Sequence, residues 1–154
     1  MSPELSVSPD ARAKALLRSN FDARVFNFGD YNILVGRGLG ACDGRDYLIG
    51  YRPVPREILV CPYVPGLSED EEQPAILQIA ETDVTHVVAD VAGASVGIIT
   101  TRGETVEFRV DDVVPVHDDG PELALQQSDD VADFLDFMRI FEADVRQAQL
   151  DPAL

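Results

Sequence analysis

Residues 84–112 read VTHVVADVAGASVGIITTRGETVEFRVDD. Val106, Phe108 and Val110 alternate with Thr105, Glu107 and Arg109, the period of two that sends successive side chains to opposite faces of a strand. Arg102-Gly103 stands at the reversal before this strand, where glycine is free to take positive φ. Ala92-Gly93-Ala94-Ser95 joins the runs 84–91 and 96–101 in the same manner. The stretch therefore predicts consecutive antiparallel strands. The same reading applied upstream gives strands at 24–28, 31–36, 46–52, 57–63 and 75–81, for a meander of seven or eight strands between Arg24 and Val116. Pro53, Pro55, Pro62 and Pro65 crowd the run 57–63; proline cannot donate to a ladder, so this strand is expected at a sheet edge or a bend. The acidic stretch PGLSEDEEQP, residues 65–74, reads as a solvated connection.

Helices are expected on either side of the strands. Ser8-Pro9-Asp10 supplies a cap, a proline at the first helical position and an acid in the first turn of a short helix over 9–20, with Ala13, Leu16, Leu17 and Phe21 on one face. Ser128 with Asp129 and Asp130 opens a C-terminal amphipathic helix carrying Val131, Phe134, Leu135, Phe137, Met138, Phe141 and Val145. Its apolar arc is wide, and Ile140 falls outside even that arc. Phe134, Phe137, Met138, Ile140 and Phe141 are therefore candidate interface residues, to be set against a helix sunk deep in its own domain. The fold class is α+β: an antiparallel meander, sandwich or open barrel, preceded by a short helix and closed by a C-terminal one. Residues 9–148 form a single domain between tails at 1–8 and 149–154, because 154 residues suit one core.

In element order, the stretch 84–112 followed by ADFLDFMRIF resembles the pleckstrin-homology-like superfold, in which two bent sheets pack together and a terminal helix plugs the open end. The resemblance covers about residues 75–145 and implies two packed sheets with the terminal helix at their open end. The lysine-bearing first hairpin through which members bind phosphoinositides is absent, so lipid binding does not carry over, and the N-terminal helix departs from the plain pattern.

Charge narrows the function. Twelve Lys and Arg against 28 Asp and Glu give a net charge of −16, which disfavours direct nucleic-acid binding or an anionic membrane as partner. The charge is unevenly placed: residues 1–56 carry a net +2 and the remaining 98 a net −18. Arg37, Arg45, Arg52 and Arg56 lie in the mildly basic third and form a candidate anion-binding set, guanidinium being suited to carboxylate and phosphate. Against this stands a simpler role, neutralising neighbouring acids. Gly36-Arg37-Gly38-Leu39-Gly40 superficially matches a phosphate-binding turn, but Ala41 fills the third-glycine slot and a strand follows instead of a helix.

Catalytic and metal chemistry find little footing. None of Cys42, Cys61, His86 and His117 lies within five residues of another, unlike the close ligand pairs of structural zinc. Cys61 shares a strand face with Leu59 and Tyr63 and reads as a packed thiol, and strict alternation puts His86 beside Val84, Val88 and Asp90. The pairs Asp111-Asp112, Asp118-Asp119 and Asp129-Asp130 lack the spacing of a calcium loop. No cofactor and no metal is expected. No run is long and apolar enough for a membrane span, no secretory leader is apparent, and two cysteines make no disulfide framework, so a cytoplasmic location is expected. The leading expectation is a non-enzymatic protein-binding or adaptor module acting through the Phe-rich helix, with homodimerisation as one form. The alternatives are an acidic mimic or chaperone-like protein that engages a basic partner, and a small anionic-ligand or enzyme domain using the four arginines.

Overall fold

The computed structural model describes residues 9–24, 31–63, 76–116 and 123–150. Helix α1 (Pro9–Arg24) is followed by strands β1 (Asn32–Gly38), β2 (Asp46–Pro53), β3 (Arg56–Tyr63), β4 (Leu77–Ala80), β5 (Val84–Asp90), β6 (Ser95–Thr100), β7 (Thr105–Arg109), β8 (Val113–Val116) and β9 (Leu123–Gln126), then helix α2 (Ser128–Leu150). The class is α+β, as expected. Strands β1–β7 form one antiparallel sheet in the order β4-β3-β2-β1-β7-β6-β5, curved into a near-barrel. It consists of two meanders, β1–β4 and β5–β7, joined where β1 pairs with β7 over only Arg37↔Arg109 and Gly38↔Phe108.

Several sequence expectations shift. Helix α1 runs through Arg24, and the rest of the strand expected at 24–28 lies outside the described residues, as do the tails 1–8 and 151–154. Helix α2 continues to Leu150, so residues 149 and 150 are helical. Strand β3 is not the edge: β4 pairs with its first half, Glu57↔Ala80 to Val60↔Leu77. Pro62 falls beyond this short partner, where a missing N–H on that side removes no ladder bond. The hairpin β8–β9 was not expected, because each strand has only four residues and Pro115 interrupts the first. A bulge between Val84 and His86 breaks the alternation of β5, so Val84 and Val87 are both buried while Thr85 and His86 are exposed.

Both faces of β1–β3 are covered. On the inner face Leu34, Ile49 and Tyr51, with Phe108 of β7, meet Phe134, Phe137, Met138 and Phe141 of α2 in one core cluster. On the outer face Val35, Leu48, Leu59 and Cys61 meet Ala13, Leu17 and Phe21 of α1 together with Val114, Val116 and Leu125 of the small hairpin. A strand buried on both sides needs apolar residues at successive positions, which is why ILV of β1 and ILVC of β3 do not alternate. Asp10 fastens α1 to the hairpin by accepting a 2.7 Å hydrogen bond from the Gln126 N–H, and that bond is the main cause holding its carboxyl below the usual range.

Helix α2 lies over the opening between the two edges of the sheet. Edge strands β4 and β5 are consecutive, joined by the 3-10 turn Glu81–Asp83. Arg56, at the start of β3, pairs with Glu81 in that turn and with Asp144 of α2. The edge of β5 is taken by α2 side chains: Glu142 Oε2 accepts from the Ala89 N–H at 2.7 Å, and Gln149 Nε2 donates to the Thr85 carbonyl at 2.6 Å. The helix thus supplies hydrogen bonds that a neighbouring strand would otherwise make. Its first intrahelical bond runs from Val131 N to the Gln127 carbonyl at 2.8 Å, which puts Gln127, not Ser128, at the cap position.

Candidate functional site

The five residues proposed from sequence as an interface divide four to one. Phe134, Phe137, Met138 and Phe141 are buried in the protein's own core, with Phe134 at 5.1 Å and Phe137 at 5.1 Å from the Tyr51 ring. Ile140 alone is exposed, at 45%. The wide apolar arc of α2 is spent inside the fold because a curved sheet wraps around more of a helix than a flat one does.

The four arginines are not brought together. Arg37 and Arg45 stand at the end of the β1–β2 hairpin that carries the glycine-rich loop, whereas Arg52 and Arg56 stand at the opposite end of β2, about 20 Å away for a strand of this length. Arg52 lies over the Tyr31 ring at 4.7 Å and pairs with buried Glu57 at 3.3 Å, and the Tyr31 hydroxyl donates to the same carboxylate. Arg56 is engaged with Glu81 and Asp144. Arg37 is half-buried, its Nε without a hydrogen-bond partner among the described residues, beside Asp46 and Arg109 in the strand register. Arg45 is exposed.

The loop between β1 and β2 does not present a row of amides to a phosphate. Its N–H groups turn inward: Gly38 to Arg45 O, Leu39 to Glu107 O, Cys42 to Leu39 O, Asp43 to Gly40 O and Arg45 to Cys42 O. A side chain at Gly38 would collide with the Cys42 carbonyl, so this glycine serves close packing of the loop. Cys42 and Cys61 are buried thiols that are not joined in a disulfide. His117 and the pair Asp118-Asp119 lie outside the described residues. Among the described residues no three His, Cys, Asp or Glu side chains are placed to share a metal ion, and no helix is long and apolar enough to cross a membrane.

Three outer-face rows remain, and sequence reasoning did not single them out. The register of β5, β6 and β7 aligns Asp90, Ser95 and Arg109 in one row, Val88, Gly97 and Glu107 in the next, and His86, Ile99 and Thr105 in the third. None of these nine residues is buried. Val88 is 60% and Ile99 38% exposed, unusual for β-branched apolar residues within strands. While α1 and the small hairpin bury the outer face of β1–β3, this half of the sheet stays open.

A shallow depression of about 300 Å³ lies here, lined by Leu39, His86, Val88, Gly97, Ile99 and Glu107 among others. Gly97 is part of its floor. The other strand glycines have packing reasons: a Cβ at Gly36 would come within 2.9 Å of Phe108, and one at Gly50 within 2.5 Å of Phe21. At Gly97 the nearest atom to such a Cβ is Glu107 Cγ at 3.8 Å, an ordinary contact, and its φ is not in the positive range. Neither backbone nor packing demands a glycine, yet the lack of a side chain is what makes the depression.

The depression is bordered by charge on one side. The Glu107 carboxylate lies against the Gly40 backbone, where a Cβ would sit 2.7 Å from Oε2. Among the described residues no side chain or backbone donor bonds to that carboxylate, whereas neighbouring Arg109 is engaged by Asp111 at 3.2 Å. The face can therefore offer apolar contact at Val88 and Ile99 and a carboxylate at Glu107. Comparisons with protein-family models, with curated proteins and with solved structures find no match to this chain.

Proposed function

We propose that the protein is a non-enzymatic, cytoplasmic protein-binding module that receives its partner on the outer face of β5–β7. The observation that carries this reading is Gly97 between exposed Val88 and Ile99: an apolar depression kept open where the fold needs no glycine. Exposed β-branched residues that flank such a depression cost solubility in a free chain and are typical of surfaces that are covered in use. The near-barrel with a single helix over its opening supports placing the chain with the pleckstrin-homology-like superfold. The edge of β5 is occupied by Glu142 and Gln149 of α2, so the reading relies on the face and not on strand addition at that edge. A net charge of −16 makes copies of the chain repel one another, which favours a different protein over a homodimer.

The test uses a photo-crosslinking residue at Ile99 and, separately, at Ile140, introduced into the full chain and illuminated in extract. Crosslinks are expected from position 99 and not from 140, and Val88→Glu should abolish them while leaving the circular-dichroism spectrum and melting temperature unchanged. Equal crosslinking from both positions, or crosslinking indifferent to Val88→Glu, overturns the proposal.

A further inference from the structure

Resting on that reading, we infer that the partner presents an arginine or lysine side chain to this face, its methylene stem lying over Gly97 between Val88 and Ile99 and its cation meeting Glu107. Gly97 is the direct register partner of both Val88 and Glu107, so the apolar floor and the carboxylate are adjacent on one row. A long cationic side chain is the residue type that matches both, apolar along its stem and charged at its tip.

Three observations favour this occupant over a purely apolar one. The Glu107 carboxylate has no donor among the described residues, and an apolar side chain covering the depression would leave it partly desolvated without compensation. Arg109, the nearest cation on the same strand, is held by Asp111 at 3.2 Å, so the protein does not neutralise Glu107 from that side. Gly40, bare of a side chain, lets the Glu107 carboxylate lie against its backbone beside the depression that Glu107 lines. At longer range, the charge of −18 on residues 57–154 attracts a basic segment toward this part of the chain and repels an acidic one.

The experiment is an NMR titration of the isotopically labelled full chain with the acetylated, amidated heptapeptide Thr-Arg-Thr-Arg-Thr-Arg-Thr. Its counterpart carries citrulline at each arginine position, preserving shape without charge. At about physiological salt, where long-range attraction is screened, the arginine peptide is expected to shift the amides of Val88, Gly97, Ile99 and Glu107. The citrulline peptide should not. Glu107→Gln should weaken the arginine peptide about three- to fivefold, the range of one exposed ion pair, and Gly97→Val should weaken it by filling the depression. Asp136→Asn removes the same unit of charge from the exposed side of α2 and should change the affinity far less. Shifts scattered over the acidic surface, equal binding of the citrulline peptide, or equal losses in Glu107→Gln and Asp136→Asn overturn the inference. If crosslinking from Ile99 succeeds while the peptide leaves these amides unmoved, the surface stands and the cationic partner is wrong. If both fail, the binding reading falls with it.

Discussion

The side-chain amide of Gln127 completes the backbone of Val35: its Oε1 accepts from the Val35 N–H at 2.9 Å and its Nε2 donates to the Val35 carbonyl at 3.0 Å. Strand β1 diverges from β7 beyond Arg37, so at Val35 there is no strand to pair with on that side. A buried backbone without partners would be costly, and the amide, with one donor and one acceptor end, replaces the missing strand at this point. The same Nε2 reaches the Asp111 carbonyl at 2.8 Å, while the Gln127 backbone N–H reaches the Asp112 carbonyl and its own carbonyl starts α2. One residue thus fixes the corner of the near-barrel to the helix that covers it.

Replacing Gln127 should accordingly cost more than a typical polar substitution. Gln127→Leu keeps the size but leaves the buried Val35 N–H and carbonyl unpaired, an expected loss of about 2–4 kcal/mol. Gln127→Glu should fare no better, since a carboxylate cannot donate to the Val35 and Asp111 carbonyls. Urea denaturation followed by circular dichroism measures both, and a loss under about 1 kcal/mol in both variants would mean that water or a backbone shift satisfies Val35 instead.

The apolar arc of α2 separates by the same measurement. Phe137→Glu would place a charge against Tyr51 and Phe141 in the core and should unfold the protein or cost about 4 kcal/mol or more. Ile140→Glu, on an exposed position, should stay within about 0.5 kcal/mol. Were both variants folded and equally stable, α2 would be a detachable surface helix, contrary to its packing.

Much of the scaffold was legible in the amino-acid sequence because its strands carry clear periods. The hairpin β6–β7 announces itself through Val106 and Phe108 against Thr105, Glu107 and Arg109, and the bounds of β2 and β3 fall within a residue of expectation. What periodicity does not carry is which strands become neighbours. The β1–β7 junction depends on two residue pairs far apart in sequence, and the hairpin β8–β9 is too short for a period to emerge. The open face is not distinguished by a single period of two read along every strand: β7 alternates strictly, the mark of one solvated face, whereas ILV of β1 and ILVC of β3 are continuous apolar runs, the mark of burial on both sides. The bulge at Thr85 hid the rest, because it moves Val84 and His86 to different environments and defeats strict alternation along β5. The Phe-rich arc misled for a related reason: a helix wrapped by a curved sheet has the same sequence signature as one with two separate partners.

The glycines test the open depression against plain structural need. At Gly97 a methyl group meets nothing closer than 3.8 Å, and replacing glycine within a strand reduces the entropy of the unfolded chain. Gly97→Ala should therefore be neutral or stabilising by up to about 1 kcal/mol. Gly50→Ala should behave oppositely: its methyl would stand 2.5 Å from the Phe21 ring and push α1 from the sheet, costing about 1–3 kcal/mol. If both substitutions destabilise alike, Gly97 is retained for the fold and the depression loses its significance.

Tyr51 is expected to steepen the loss of stability at alkaline pH. Its phenol is 2% exposed and donates to Asp133 Oδ2 at 2.5 Å; burial first, and the Asp133 carboxylate second, push its ionisation far above the usual range. In the unfolded chain the same phenol ionises near pH 10, so the folded state holds its proton longer than the unfolded state does. The resulting stabilisation is fully present below that pH and is lost as pH rises past it, at about 1.4 kcal/mol per unit for this group alone. Tyr51→Phe should lose about 1 kcal/mol at neutral pH, the worth of one hydrogen bond, because exposed Asp133 can turn to water. Above about pH 10 the variant should fall away less steeply than the wild type by the share of Tyr51, while Tyr47, whose ionisation burial also raises, continues to contribute. Denaturation midpoints measured across the alkaline range decide the point: curves that stay parallel above pH 10 would show that Tyr51 is not the group whose ionisation opens the fold, since removing its hydroxyl must remove its slope.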